Sequence, residues 1–437
     1  MAPPAASTES FDVIVVGGGF AGLRAARDLL DAGRDVLVLE ARERLGGRTL
    51  MVPFPGSDKH VELGAAWVAP RYHRWVAQEM DRYGLALAEP VDMGASFNWR
   101  FDGEVSSAFP LAGDQLFELE RAIYRIIEAS HRIDTDVPRD EGDLTALDVS
   151  VEEFLRGLDL SERTYDFLAG FGSLGSGAES SEWSAITALS LIAAFDCSAY
   201  AWLAAVTDKF AGGTATVVDA LVGDAQPDVR LSTAVERVEQ RPGEVVVSAA
   251  GGQTFAASAV IMAVPLNVWR DIEFVPELSE AKATLRSEGH PNRMGKLWAL
   301  VEGAPPDTTA FGPDSDLLLL APQYEVDGAL LMVGFSAPPS TLDVTDGAAV
   351  ERAVRQHFPH ASVRASLAHD WNADPFSNGG WQTYRPGHAT RYMSGLQTPE
   401  GRVYFAGADT ATKWIGWLDG ALETGARAAG QALMTDA

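Results

Sequence analysis

Phe11-Asp12-Val13-Ile14-Val15-Val16-Gly17-Gly18-Gly19-Phe20-Ala21-Gly22 is an apolar run of strand character that breaks into G-x-G-x-x-G. A helical stretch follows, and a second apolar run, Val36 to Leu39, ends on Glu40. Strand, glycine turn, helix, strand and acid, in that order, are what a βαβ dinucleotide site requires. Gly17 permits the tight turn, Gly19 lets backbone approach a pyrophosphate, and Gly22 lets helix pack on strand. The N–H groups and dipole at the helix start favour phosphate charge. Glu40 is placed to accept from ribose hydroxyls, and the same acid disfavours a 2′-phosphate, which argues against NADP.

Outward from this unit, 437 residues of 46% hydrophobic composition are enough for a large core and for two or three domains. Ala41-Arg42-Glu43-Arg44-Leu45-Gly46-Gly47-Arg48 and Val61-Glu62-Leu63-Gly64-Ala65-Ala66-Trp67 add two further glycine-containing turns. From Leu111 to about Phe210 the periodicity is helical, broken by turn clusters such as Pro138-Arg139-Asp140-Glu141-Gly142. From Gly212 short strand-like runs resume at Val229 to Leu231, Val235 to Val238, Val245 to Ser248 and Ala259 to Val264. Beyond Pro291, runs at Lys296 to Val301, Leu317 to Ala321, Leu330 to Phe335 and Val363 to Ala368, with a helix near Val350 to His357, predict a second sheet. Val403 to Gly407 reads as a last strand and Gly420 to Met434 as a terminal helix. The pattern is α/β, with two domains threaded through each other.

Several function classes are excluded or disfavoured. With 34 basic against 61 acidic residues the formal charge is −27, which opposes binding to nucleic acid and to anionic membrane surfaces. Ala185 to Val206 is long and mostly apolar, but Asp196 and several Ser and Thr interrupt it, so buried helices are expected rather than a membrane span. Met1 to Ser10 has neither a basic segment nor an apolar one, so it reads as a frayed tail and the chain as cytoplasmic. One cysteine, Cys197, leaves no internal disulfide. The eight histidines are scattered, so no metal site is expected, and Phe171 to Gly177 lacks the G-x-S-x-G of a nucleophile elbow.

Six ordered motifs together resemble the flavin-dependent monoamine oxidases, which share a two-domain fold with polyamine and L-amino-acid oxidases. They are Val15 to Gly22, Glu43 to Arg48, Glu62-Leu63-Gly64, Lys296 on a strand, Asp374-Pro375-Phe376 before Gly379-Gly380-Trp381, and Phe405 to Asp409 followed by Trp417 to Ala421. The likeness runs nearly end to end, and the spacing around His131-Arg132-Ile133-Asp134 is most similar to the bacterial 6-hydroxynicotine oxidase branch. The resemblance implies a Rossmann-like FAD-binding domain from 1–90, 211–290 and 391–437, interleaved with a substrate domain of mixed sheet and helices from 91–210 and 291–390. Glu40 then meets the adenosine ribose, Gly17, Gly19 and Gly22 form the pyrophosphate turn, and Arg42, Gly47 and Arg48 lie beside it. Val235 belongs to the strand at the adenine, and Asp409 to the ribityl chain. Ala421 opens a helix whose positive end faces the flavin pyrimidine.

The same resemblance implies the chemistry. An uncharged amine gives hydride from the carbon next to nitrogen to flavin N5, leaving an imine, and dioxygen then yields hydrogen peroxide. Lys296 is the family's lysine that holds a water against N5, and Trp381 and Trp417 are the aromatic walls. Trp67, Ser173, Tyr324 and Gln382 are further candidates for the substrate cavity. Where some animal relatives attach flavin to a cysteine this chain has Trp381, so FAD is expected to be non-covalent. The substrate class implied is a small, partly hydrophobic amine, secondary or cyclic as in alkaloid breakdown, with homodimerisation a family-level expectation. The rival readings are an amine dehydrogenase of the same fold using a protein acceptor, a desaturase, and a flavin-binding module without turnover. A chromatin-directed demethylase is disfavoured because neither a helical docking domain nor a basic surface is evident.

Overall fold

A computed structural model describes residues 9–90, 96–204 and 206–435. Most of the N-terminal tail predicted from sequence therefore lies outside the described residues, and Glu9 and Ser10 already belong to a strand. The first sheet runs in the order Glu273–Val275, Val235–Arg241, Glu244–Ala249, Gln253–Met262, Glu9–Val16, Val36–Leu39, Asp228–Arg230, and Val403–Phe405 also pairs with Gln253–Met262. Glu9–Val16 is parallel to both neighbours, with Val16 opposite Leu39 on one side and Met262 on the other. Three strands thus end together, and Gly17, Glu40 and Ala263 emerge side by side at their carboxyl ends, where open α/β sheets bind ligands. Val13 and Val15 pack into one core cluster, Ile14 and Val16 into another. A strand covered on both faces explains the unbroken apolar run in the sequence.

Helix Phe20–Asp31 covers one face and packs along the terminal helix Leu418–Thr435. Their approach is close enough that a Cβ on Gly425 would stand 2.3 Å from the Ala21 carbonyl oxygen. The terminal helix begins at Leu418, two positions before the predicted Gly420.

The second sheet runs Ser362–Ala368, Gly295–Glu302, Ala329–Ser336, Leu319–Val326, Thr308–Phe311, Ser96–Phe101, Glu104–Ser106. All its pairs are antiparallel except Thr308–Phe311 with Ser96–Phe101. Along Gly295–Glu302, Trp298 and Leu300 face one cluster, which also takes Phe167, while Leu297, Ala299 and Val301 face another, shared with Val350 and Val354 of helix Gly347–His357. Period-two alternation thereby puts Lys296 on the Trp298 side.

The long apolar block divides into helices Ala185–Ala194 and Ala199–Ala204. Between them Asp196 and Cys197 take positive φ of 54° and 57°, which ends the first helix. Among the described residues no helix is long and apolar enough to cross a membrane.

Candidate active site

A cavity of about 530 Å³ opens where the first sheet's strands end and runs to the start of the terminal helix. At its phosphate-turn end, Gly17 takes φ of +108°, and a Cβ there would stand 2.7 Å from the Ala263 carbonyl oxygen, so only glycine fits. Gly19 caps helix Phe20–Asp31 with no side-chain hydrogen bond, so the first N–H groups of that helix face the cavity without a protein cap. Gly22 does not line the cavity. Its place is behind the turn, where a Cβ would meet the Gly17 carbonyl oxygen at 1.9 Å.

Glu40 is buried at the end of Val36–Leu39, accepting from the Gly18 N–H at 2.7 Å and the Arg42 N–H at 2.8 Å. Arg42 reaches Asp374 at 2.8 Å and Ser377 at 2.9 Å. Arg48 donates to the Gly380 carbonyl oxygen at 2.7 Å and forms an ion pair with Asp409 at 2.7 Å. The other carboxylate oxygen of Asp409 accepts from the Leu266 N–H at 2.9 Å. Asp409 therefore sits behind the wall, bracing Arg48. Its two oxygens are already engaged, and the cavity-facing positions beside it are Gly407 and Ala408. Gly47, Val235 and Ala421 line the cavity as the sequence leads one to expect.

At the opposite end Lys296 enters from Gly295–Glu302, 6% exposed, and donates to the Gly64 carbonyl oxygen at 2.7 Å. Its ammonium lies 4.5 Å from the Trp67 ring centroid and 5.9 Å from that of Phe335, its cross-strand partner. Burial, with Lys209 reinforcing and Glu62 opposing, pulls its pKa down to about 7. Trp381 and Trp417 also line this end. Trp381 is held by its indole N–H on the Gly175 carbonyl oxygen at 3.0 Å. Trp417 is held edge-on by His73, Phe195 and Trp414. Burial drives the His73 pKa down to about 3, so the ring behind Trp417 is neutral.

Three of the predicted cavity residues, Ser173, Tyr324 and Gln382, do not border the cavity described above. Ser173 lies within helix Glu162–Ser176, and its carbonyl closes that helix on the Gly177 N–H. Tyr324 stacks on Trp298 at 6.3 Å with Lys59 over its other neighbourhood at 5.9 Å. Gln382 turns inward, 1% exposed, with both amide atoms lacking a hydrogen-bond partner. Trp67 does line the cavity, together with Leu191, Val206, Met294 and Phe335, none of which the sequence reading singled out. Phe335 was accessible through strand pairing with Lys296, and Lys209 through its charge between Val206 and Phe210; neither signal is strong in one dimension.

The residues fit a flavin dinucleotide. Two helix starts, at Phe20 and Leu418, border the cavity, glycine backbone replaces side chains along its phosphate-turn wall, and an acid marks the end of the second strand. Residues 20–433 match the family model for flavin-containing amine oxidoreductases. The chain is 36% identical to (S)-6-hydroxynicotine oxidase of Paenarthrobacter nicotinovorans, over 95% of this chain and 97% of that one. It is 34% identical to pseudooxynicotine dehydrogenase of a Pseudomonas species, over 97% of this chain and 86% of that one. Putrescine oxidase bound to putrescine has the same fold, with a TM-score of 0.85 at 24% identity, covering 98% of this chain and all of the other. The chain belongs to the flavin-containing amine oxidoreductases and is an FAD-dependent enzyme acting on amines.

Proposed function

We propose that the protein takes hydride from the carbon next to the nitrogen of a small, partly hydrophobic amine and releases an imine, with dioxygen as acceptor and hydrogen peroxide as second product. A secondary or cyclic amine of the hydroxynicotine type is the favoured substrate class. The observation that carries this reading is the apolar lining that Lys296 shares with Trp67, Leu191, Val206, Phe335, Trp381 and Trp417, with Trp67 and Phe335 directly beside it. Among the described lining residues the carboxylates are Glu40, Glu236 and Asp271, which belong to the first sheet and its connections. The amine end thus offers no counter-ion for a second ammonium.

FAD, when bound, supplies the two-electron acceptor. Glu40 takes its ribose hydroxyls, Gly17, Gly19, Arg42, Gly47 and Arg48 its pyrophosphate region, Val235 its adenine, and the helix start near Ala421 its pyrimidine. Non-covalent attachment follows from Trp381 standing after Gly379-Gly380. The apolar wall holds the substrate nitrogen uncharged, since an ammonium there would lose hydration without gaining a carboxylate. Trp381 and Trp417 flank that nitrogen and stabilise the positive charge that grows on it. Lys296 holds and moves a proton at Nζ. The cofactor domain is drawn from 1–90, 211–290 and 391–437, the substrate domain from 91–210 and 291–390, and the enzyme works in the cytoplasm.

The similarity to a dehydrogenase supports one second reading, in which a protein takes the electrons in place of dioxygen. Anaerobic mixing with a panel of cyclic secondary amines, primary monoamines and diamines, followed by oxygen, tests both. Bleaching at 450 nm by the monoamines, then rapid recovery of colour in oxygen with peroxide formed, is the expected result. Absence of bleaching by every amine refutes the reading, and bleaching that oxygen does not reverse shifts it to the dehydrogenase.

A further inference from the structure

Two ionisable side chains from separate parts of the chain meet at one indole, and a third, Glu62, acts on both through its charge. Lys296 lies 4.5 Å from the Trp67 ring centroid and Lys209 lies 5.7 Å from it. Backbone pairing fixes the arrangement, because Trp67 bridges Lys209 antiparallel and the Val68 N–H donates to the Asp208 carbonyl oxygen at 3.0 Å. The third member is Glu62, 7% exposed on the short strand His60–Glu62. One of its oxygens accepts from the Thr214 N–H at 2.6 Å and hydroxyl at 2.8 Å, while the other is buried without a hydrogen-bond partner. Burial pushes the Glu62 carboxyl up, while the two Thr214 donors and the charges of Lys296 and Lys209 pull it back toward the ionised, acceptor-only form.

We propose that Lys209, which shares the Trp67 ring with Lys296, and buried Glu62 are positioning residues that together set the protonation of Lys296. The proposal rests on the reading of Lys296 as the group that exchanges a proton at the flavin. Its physical basis is a mismatch of charges. Two cations share one anion in a poorly hydrated place, so the fully protonated cluster carries an excess positive charge that the loss of one proton removes. Lys296 is the member that loses it. Among the described residues its hydrogen-bond partner is the neutral Gly64 carbonyl, and it is the more deeply buried lysine. Lys209 also donates to the Gln323 side-chain oxygen and lies against Trp298 at 5.8 Å. The directions agree, with Lys296 lowered to about 7 and Lys209 to about 8, burial being the larger cause in both.

Among the described residues, Glu62 and Lys209 are the charged groups that act on Lys296. The strand Ala329–Ser336 presents Phe335 to it, and strand Ser362–Ala368 begins its pairing one residue later, at Leu297. Around the rim stand Asp208, whose carboxylate accepts from Thr207 at 3.4 Å, Tyr324, whose phenol burial pushes up, and half-buried Lys59.

The test uses flavin-bound enzyme labelled with 13C at lysine Cε, titrated by NMR, beside the pH profile of flavin reoxidation. The Lys296 resonance is identified by its loss in Lys296→Met, and wild type should titrate near neutrality. Lys209→Met, which removes the like charge, should raise the midpoint by about one unit and carry the reoxidation profile with it. Lys209→Arg, which keeps the charge, should restore the wild-type midpoint, and Glu62→Gln should lower it. A midpoint unmoved in Lys209→Met, or moved the same way by Lys209→Met and Glu62→Gln, overturns the proposal. Should Lys209→Met fail to fold, Glu62→Gln decides, since an unmoved or raised midpoint there is equally fatal. If Lys296→Met reoxidises like wild type, the role given to Lys296 fails, while the NMR midpoints still judge the cluster on their own.

Discussion

Replacing Lys296 with methionine removes an ammonium from a buried site and keeps an unbranched side chain. In the folded chain its pKa is about 7, in place of an ordinary value of 10.5, chiefly through burial. On unfolding the amine regains the ordinary value, so between about pH 7 and 10.5 the unfolded state holds the extra proton and stability rises with pH. Below pH 7 both states are protonated and the whole penalty is present. At about 1.4 kcal/mol per unit it amounts to roughly 4–5 kcal/mol. Methionine escapes this but leaves the Gly64 carbonyl oxygen, 2.7 Å from the native ammonium, without its donor. That loss costs about 1–3 kcal/mol, and the contact with the Trp67 face forfeits about 1 kcal/mol more. Lys296→Met should therefore be about 1–2 kcal/mol more stable than wild type near pH 7 and less stable than wild type at pH 10. Urea unfolding midpoints at a series of pH values, with both proteins saturated in FAD, measure the difference. A variant that is weaker at pH 7, or whose difference from wild type does not vary with pH, refutes the reasoning. The same variant should slow flavin reoxidation by oxygen more than flavin reduction by amine, and equal slowing of both steps contradicts the assigned role.

Gly22→Ala places a Cβ 1.9 Å from the Gly17 carbonyl oxygen and 3.1 Å from Val15. Helix Phe20–Asp31 must then move off the strand, at a strain of about 1–3 kcal/mol or more; the flavin-to-protein ratio and Tm should both fall, and full flavin loading at unchanged Tm disproves the close-packing argument. Cys197 is the sole cysteine and does not line the cavity. Acid precipitation should accordingly release yellow cofactor to the supernatant, and flavin retained in the pellet contradicts non-covalent attachment.

The first sheet was legible because its signals are local. Val13 to Val16 is apolar on both faces, the glycines fall where φ and close approach demand them, and Glu40 follows directly on its strand. The second sheet was legible only in part. Ser96–Phe101 and Thr308–Phe311 pair in parallel across a separation of about two hundred residues, and their register depends on contacts that no short window contains. Four-residue Thr308–Phe311, following two prolines, resembles a loop until Phe311 is seen buried against Phe171 at 4.4 Å. Lys296, Trp381 and Trp417, picked out by motif because their neighbours in sequence are distinctive, line one cavity. Tyr324 and Gln382 do not border the cavity, because one step along the chain decides whether a side chain faces cavity or core. Lys209 escaped notice because its importance comes from Glu62 and Lys296, which reach it only through the fold.

The loop from Trp371 to Trp381 joins cofactor holding to amine holding. Arg42 grips its start through Asp374 and Ser377, and Arg48 grips its end through the Gly380 carbonyl, one residue before Trp381. The Trp371 indole donates to the Leu63 carbonyl oxygen at 2.9 Å, and Leu63 adjoins Gly64, the acceptor for Lys296. Asn267 adds a fourth tie, donating to the Asn378 carbonyl oxygen at 2.7 Å. The arginines that border the phosphate turn are thus the struts of the aromatic wall. On the proposed placement of the pyrophosphate beside Arg42 and Arg48, its charge would compete with Asp374 and Asp409 for the same guanidinium groups. The same two arginines that line the dinucleotide end of the cavity thus tie down the loop that carries Trp381.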